Sequence, residues 1–184
     1  MPPPDSLLAA DLPDGVVMRI VREEDAGELA DAYRRNSAHL APWEPVRGEE
    51  FLTPAGQLAN TRGKLGMFEA GTGVPWILLS GRRVIGGMTL SGIVRGPFLS
   101  ANLGYWVDQD FNGRGICSAA VAHVLEASST TLGLHRIQAA TLLHNDASQK
   151  VLRRTGFDEI GVAPQYLKIA GRWQDHLLFQ RLLY

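Results

Sequence analysis

The sequence predicts one mixed α/β (α+β) domain with a largely antiparallel central sheet flanked by helices. Apolar, strand-like runs alternate with segments of helical periodicity, and two pairs of such runs surround short glycine turns. The length of 184 residues is near that of one domain, and 45% hydrophobic residues can supply its core. Residues 1–15 are rich in Pro and Asp, and we expect them to form a flexible tail before a domain at residues 16–184.

The first elements are a strand and two helices. Val16–Val21 is apolar and β-branched, which predicts a strand. Glu23–Leu40 follows with acidic residues in its first turn and apolar residues at helical spacing, so we expect one helix there. Thr53 and Pro54 suit the N-cap and first position of a second helix, whose apolar face contains Leu58, Leu65 and Phe68.

A hairpin and a strand–loop–helix unit occupy the middle of the chain. Two apolar runs around residues 81–83 predict the hairpin. Ala101–Asp108 is predicted to be a strand that leads into a glycine loop, and Ile116–Leu132 to be the following helix.

The last elements are a strand, a short helix and a second hairpin. His135–Leu143 is a predicted strand, and Asp146–Thr155 is a predicted helix closed by Gly156 in the left-handed conformation. Tyr166–Ala170 and Trp173–Leu183 form the predicted terminal hairpin.

Composition argues against several classes of protein. The chain has one cysteine and five histidines without metal-ligand spacing, so we expect neither an internal disulfide nor a metal site. A net charge of -1 gives no basic excess, and we expect no nucleic-acid partner. No apolar run has the roughly 18 residues of a membrane span, and the opening lacks the pattern of a signal peptide. We therefore expect a cytoplasmic protein without membrane association.

The loop between the middle strand and helix carries the first candidate binding site. Gly113 and Gly115 allow a tight turn and close backbone approach, and the helix start offers free N–H groups that suit a pyrophosphate. An ordinary strand–helix turn is an equally consistent interpretation. The segment is neither a P-loop, because no GK[ST] follows, nor GxGxxG, because Ser118 occupies the third small position.

The second candidate site is the start of the short helix near residue 146. Asn145 suits a helix N-cap, and Ser148 lies three residues later. A capping role is compatible with a ligand-binding role for the same side chains.

Together, these segments resemble the GNAT superfamily of acyl-CoA-dependent N-acyltransferases, and more narrowly its ribosomal-protein N-terminal acetyltransferases. The resemblance extends from LAPWEP (Leu40–Pro45) through LGYWVD, NGRGICSAA and NDASQKVLRRTGF to YLKIAGRWQDHLLF. It implies a GNAT fold, acetyl-CoA or another short acyl-CoA as co-substrate, and an amine acceptor. It assigns acyl-CoA binding to a strand, a loop and a helix start, namely Tyr105, Trp106, Val107, Asn112, Gly113, Arg114, Gly115, Ile116, Cys117, Ser118, Asn145 and Ser148.

The resemblance also implies catalytic and acceptor positions. Ser148, Asn145 and Asn102 correspond to catalytic positions, with Ser148 placed to protonate the departing thiolate. Trp43, Glu44 and Tyr166 are candidates for acceptor binding, although packing roles suit the two aromatic residues equally well. Cys117 is better explained as a small buried residue than as a nucleophile.

Two positions depart from the family pattern. Asp110 replaces the Arg or Gln that usually precedes the first loop glycine, but the loop acts through backbone N–H groups and binding should survive. Asn102 replaces a glutamate that is proposed as general base in relatives, and its amide cannot accept a proton. A water relay to Glu44 or His144 is an alternative.

The missing carboxylate favours an acceptor of low pKa. At pH 7 an α-amine is roughly 10–15% neutral, whereas a lysine amine is about 0.04% neutral. This favours an α-amine or another amine of low pKa as acceptor, and the resemblance implies direct transfer of an acetyl or other short acyl group to the N-terminal α-amine of a protein such as a ribosomal protein. The alternatives are a small-molecule N-acetyltransferase acting on an antibiotic, polyamine or amino-acid derivative, and a non-catalytic acyl-CoA-binding module. The exposed terminal strand also offers an edge for homodimer pairing.

Overall fold

An eight-stranded mixed sheet, in the order β1-β2-β3-β4-β5-β6-β8-β7, runs through residues 8–184, the part of the chain that the computed structural model describes. Neighbouring strands are antiparallel except for the central pair β5 and β6. The predicted fold class is therefore confirmed. The strands are β1 (Ala10–Leu12), β2 (Val16–Ile20), β3 (Gly73–Ser80), β4 (Arg83–Val94), β5 (Ser100–Val107), β6 (Arg136–Leu142), β7 (Asp158–Ile169) and β8 (Arg172–Leu182).

Helices cover both faces of the sheet. The helices are α1 (Ala26–Arg35), α2 (Ser37–Leu40), α3 (Pro54–Glu69), α4 (Ile116–Thr130) and α5 (Asp146–Arg154). On the face of α1 and α3, Tyr33 packs with Ile77, Val84 and Trp106. On the face of α4 and α5, apolar residues of both helices join Leu78, Met88 and Leu103 of the strands in the larger core. The site described below lies in the sheet between these layers.

The predicted helix from Glu23 to Leu40 is divided into three pieces. A 3-10 turn covers Glu23–Asp25, and α1 and α2 follow. The side chain of Asp25 explains the first break. Its carboxylate accepts hydrogen bonds from the Arg22 N–H at 2.7 Å and from the Arg19 guanidinium at 2.7 and 2.8 Å. These contacts stabilise a separate 3-10 turn ahead of α1, so α1 begins at Ala26.

The expectation of a flexible tail over residues 1–15 is wrong for residues 8–15. β1 pairs antiparallel with β2, and the side chain of Leu8 is fully buried. The Trp76 indole N–H donates to the Leu8 carbonyl at 2.9 Å. These few apolar residues extend the sheet by one edge strand, so the domain begins before residue 16. Residues 1–7 lie outside the described part of the chain.

Local turn and cap signals are confirmed. The Thr53 hydroxyl accepts from the Gly56 N–H at 3.0 Å and caps α3. Gly156 closes α5 with φ +80°. The terminal hairpin is longer than predicted, since β7 begins at Asp158 and not at Tyr166.

Candidate active site

A cleft opens where the parallel strands β5 and β6 separate. The strands pair from Ser100 and Arg136 to Asn102 and Gln138 and then diverge, while each strand continues for several residues. α5 and the terminal hairpin close the sides of the cleft. The break in pairing therefore creates an open space in the middle of an otherwise continuous sheet.

The backbone of β5 offers hydrogen-bond donors to this cleft. The Asp108 N–H donates to the Ile85 carbonyl of β4 at 2.7 Å. Because N–H groups alternate in direction along a regular strand, those of Tyr105 and Val107 point away from β4, towards the gap. They lie where a ligand beside β5 would meet them.

The neighbouring aromatic residues of β5 face opposite sides of the sheet, as strand geometry predicts. Tyr105 lines the cleft. Trp106 packs against Tyr33, with ring centroids 4.9 Å apart, on the face of α1 and α3. The buried Val107 can therefore serve a ligand in the cleft through its backbone N–H, whereas the side chain and the backbone groups of Trp106 are both directed away from the cleft, so the structure does not bring Trp106 into the cofactor site as predicted.

Three polar side chains meet where α5 reaches the cleft. The hydroxyl groups of Tyr105 and Ser148 are 2.8 Å apart. The Asn145 Oδ1 accepts from the Ser148 N–H at 3.1 Å, which confirms the predicted N-cap. Burial raises the pKa of Tyr105, so its hydroxyl stays protonated at neutral pH. The site thus holds a neutral, hydrogen-bonded hydroxyl pair in a fixed position.

The glycine loop is positioned as predicted at the start of α4. Gly113 and Gly115 have φ values of +78° and +79°, and residues 112–115 are exposed. Ile116 is fully buried and anchors the first turn, while Cys117 and Ser118 are half-buried. Burial raises the pKa of Cys117 to about 12, which disfavours its thiolate. The loop leaves its N–H groups accessible while α4 is held in the core.

An ion cluster supports this loop at Asp110, the first of the two positions that depart from the family pattern. The buried Asp108 carboxylate accepts from Arg35 at 3.1 Å and from Arg83 at 3.0 Å, and Arg83 also contacts Asp110 at 2.7 Å. The Arg114 guanidinium donates to the Asp110 carbonyl at 2.9 Å. Asp110 is thus paired with a cation from the β3–β4 hairpin, and its negative charge beside the glycine loop is offset.

Of the three acceptor candidates, Trp43 lines the cleft, whereas Glu44 and Tyr166 are not among its lining residues. Trp43 packs against His144 in a tilted arrangement, with ring centroids 5.4 Å apart and an interplanar angle of 38°. The Ala170 N–H donates to the Glu44 carbonyl at 3.0 Å, which ties this segment to the terminal hairpin. Burial raises the pKa of the Glu44 carboxyl, although Arg47, 3.7 Å away, opposes this effect. Tyr166 is exposed at the rim, 5.7 Å from the ring of His176.

Asn102 is the candidate that the structure places apart from the others. Its side chain is exposed and lies on the face of β5 opposite to Tyr105. Further residues line the cleft without having been selected from the sequence, namely Leu103, Gly104, Ala139, Ala140, Thr141, Leu142, Leu152, Leu167, Ile169 and His176. One signal was available, because Thr141 is a polar residue in the buried phase of an alternating strand.

Residues 8–184 contain neither a candidate metal cluster nor a candidate membrane-spanning helix. Within that range, the histidine, cysteine and acidic side chains form no cluster of three that could hold a metal ion. None of the helices described there has the length and apolar character needed to cross a membrane.

Comparisons with known proteins agree with one another. The family model for the acetyltransferase (GNAT) domain matches residues 16–158. The chain is 37% identical over 171 residues to ribosomal protein uS5-alanine N-acetyltransferase of Escherichia coli (strain K12), covering 90% of this chain and 86% of that protein.

Solved structures of acetyltransferases are also similar to this chain. The ribosomal-protein-S5-alanine acetyltransferase of Vibrio fischeri superposes with a TM-score of 0.90 at 32% identity, covering 95% of this chain and 96% of that one. RimJ of Mycobacterium smegmatis, solved in complex with CoA-disulfide, has a TM-score of 0.89 at 31% identity, covering 95% of this chain and 85% of that one.

Proposed function

This chain belongs to the GNAT acetyltransferase family and is an acetyl-CoA-dependent N-acetyltransferase, and we propose that its acceptor is the N-terminal α-amine of a ribosomal protein. Two relatives above 30% identity are named for acetylating an alanine of ribosomal protein uS5 or S5. The site agrees with such an acceptor, because the residues that line the cleft include no carboxylate and an α-amine needs less help than a lysine amine to lose its proton.

The observation that carries the proposal is the Tyr105–Ser148 hydroxyl pair inside the cleft of β5 and β6. In the proposed reaction, the neutral amine attacks the thioester carbonyl, a C–N bond forms, and the C–S bond breaks. Ser148 donates its proton to the departing sulfur, Tyr105 returns a proton to Ser148 through their hydrogen bond, and Tyr105 regains its proton from solvent. Both groups are neutral donors at the start of the reaction.

Backbone donors complete the proposed acyl-CoA site. We assign the arm of acyl-CoA to the edge of β5, where the N–H groups of Tyr105 and Val107 face the gap. One of them would stabilise the oxyanion that develops on the thioester carbonyl. The Asn112 N–H donates to the Gln109 carbonyl, so the N–H groups of the exposed residues 113–115 and of the first turn of α4 would hold the pyrophosphate.

We propose that Glu44 accepts the amine proton through a water molecule. Glu44 follows Trp43, which lines the cleft, and burial raises the pKa of its carboxyl towards that of a useful base. The rate should therefore fall with decreasing pH at a value above the ordinary pKa of a glutamate. Glu44→Gln should remove this acidic limb, whereas His144→Gln should leave it in place; the reverse result would assign the role to His144.

The test of the function is acetylation of a peptide with the first residues of ribosomal protein uS5 and an N-terminal alanine. Thiol release and mass spectrometry should show one acetyl group on the α-amine. The same peptide with a blocked α-amine and a free lysine should react far more slowly. Acetylation of polyamines or aminoglycosides in preference to both peptides would refute the proposed acceptor.

The role of Ser148 is tested separately. Ser148→Ala should lower kcat by roughly 10²–10⁴, as expected for a lost acid–base group, with little change in CoA affinity. Ser129→Ala, on α4 away from the cleft, is the matched control. Normal turnover by Ser148→Ala would remove this residue from the mechanism.

Two further properties are part of the proposal. Ribosomal-protein acceptors indicate a cytoplasmic site of action. β7 forms one edge of the sheet and exposes Ile160 and Val162, which is compatible with pairing between two copies. The oligomeric state can be read directly by sedimentation of the purified protein.

A further inference from the structure

A buried hydroxyl in the cleft has no hydrogen-bond partner. Thr141 of β6 lines the cleft and is 4% exposed. Its Oγ1 is shielded from solvent and, among residues 8–184, makes no hydrogen bond. Because a buried hydroxyl without a partner costs free energy, such a group in a native protein requires an explanation.

Packing does not provide this explanation. Thr141 follows Ile137 and Ala139 in the buried phase of β6, and a valine has almost the same shape and an equally good preference for strands. The hydroxyl therefore adds nothing to the unliganded sheet that a methyl group would not supply at lower cost.

Three other polar residues of the cleft already take part in hydrogen bonds with one another. The Tyr105 and Ser148 hydroxyls bond each other at 2.8 Å, and the Asn145 Oδ1 accepts from the Ser148 N–H at 3.1 Å. Thr141 shares the cleft with all three but keeps both its donor and its acceptor capacity. It is thus prepared to bond a group that enters from outside.

We propose that Thr141 is a substrate-contacting residue whose hydroxyl hydrogen-bonds bound acyl-CoA. This inference rests on the proposed use of the cleft for the acyl-CoA arm. The chemistry recognised is a carbonyl or amide group, which the arm and the thioester both contain. On binding, the ligand supplies the hydrogen-bond partner that the residues around Thr141 do not provide.

The test is Thr141→Val, with calorimetric titration of CoA and of acetyl-CoA and a thermal melt of the unliganded protein. Affinity should fall about tenfold, the amount expected for one lost hydrogen bond, while the unliganded variant melts at the same temperature or higher. Equal losses for both ligands place the bond on the arm; a loss confined to acetyl-CoA places it on the acetyl carbonyl.

Two variants control this experiment. Thr141→Ser keeps the hydroxyl and should bind both ligands within about threefold of the parent protein. The Thr155 hydroxyl bonds the carbonyls of Val151 and Leu152 at 3.0 and 3.1 Å, so Thr155→Val should melt at a lower temperature and bind normally.

Unchanged affinity of Thr141→Val for both ligands would overturn the inference, as would a lower melting temperature, which would reveal a structural partner. Failure of the proposed function is recognised independently, because it appears as wild-type protein that binds acetyl-CoA without acetylating the peptide.

Discussion

Replacing Asp108 with asparagine should destabilise the protein through the ion cluster beneath the glycine loop. The Asp108 side chain is fully buried and accepts from Arg35, Arg83 and the Asp110 N–H at 3.1, 3.0 and 3.1 Å. Burial alone would raise the pKa of this carboxyl, but the hydrogen bonds from these groups and from Asn36 hold the pKa below its usual value.

The expected loss in the free energy of unfolding depends on which contacts remain in the Asp108→Asn variant. The asparagine oxygen can still accept from the Asp110 N–H, whereas two charge-assisted bonds lose their anion, at about 1.5–3 kcal/mol each. The Arg35 and Arg83 side chains are 31% and 38% exposed, so water recovers part of this loss. We expect a net cost of about 2–4 kcal/mol and a Tm lower by roughly 5–15 °C.

The assay is urea unfolding of the Asp108→Asn variant, compared with that of the Asp110→Asn variant as a control. Asp110 contacts the same Arg83 but is 56% exposed, and its loss should cost less than about 1 kcal/mol. Because the folded-state pKa of Asp108 is depressed, its contribution is present above the unfolded pKa near 3.9 and is lost as pH falls through the lower folded value. Equal costs for both variants, or a difference from wild type that persists at the lowest pH, would refute the reasoning.

Three other predictions concern the acyl-CoA site. Gly115→Ala should lower the free energy of unfolding by about 1–2 kcal/mol. The cause is backbone strain alone, because φ is +79° and an added Cβ meets no atom within 4 Å. Urea unfolding measures this loss, and calorimetry should show weaker CoA binding. Asn145→Ala should cost about 1 kcal/mol through loss of the α5 cap, and Asn145→Asp should restore it in the same assay. Arg83→Ala should raise KM for acetyl-CoA severalfold at constant kcat, since Asp110 then faces the loop without its cation and Asp108 keeps Arg35 alone; no change in KM for Arg83→Ala would contradict this.

The elements that could be predicted from sequence are those with local signals. The α3 cap at Thr53 and Pro54, the hairpin at residues 81–83 and the closure of α5 at Gly156 each depend on a few adjacent residues. The glycine loop and the Asn145 cap could be placed for the same reason. The resemblance to GNAT enzymes then indicated which of these local features share one site.

Features that depend on distant contacts were missed. β1 and the burial of Leu8 arise from pairing with β2 and from the Trp76 indole, which no periodicity reveals. The first half of β7 contains Gly161 and Pro164, lies exposed at a sheet edge and pairs with irregular register, so it lacks an alternating pattern. The separation of β5 and β6 is likewise a property of tertiary packing, and with it the cleft position of Thr141.

The strand order has a consequence for how the chain folds during synthesis. The strands β1 to β5 are adjacent in the order in which they are translated, so each can pair with its predecessor as it leaves the ribosome. β8 follows β7 in sequence but is inserted between β6 and β7. The second half of the sheet therefore stays open until β8 has emerged, and acyl-CoA binding should be acquired abruptly and late in translation.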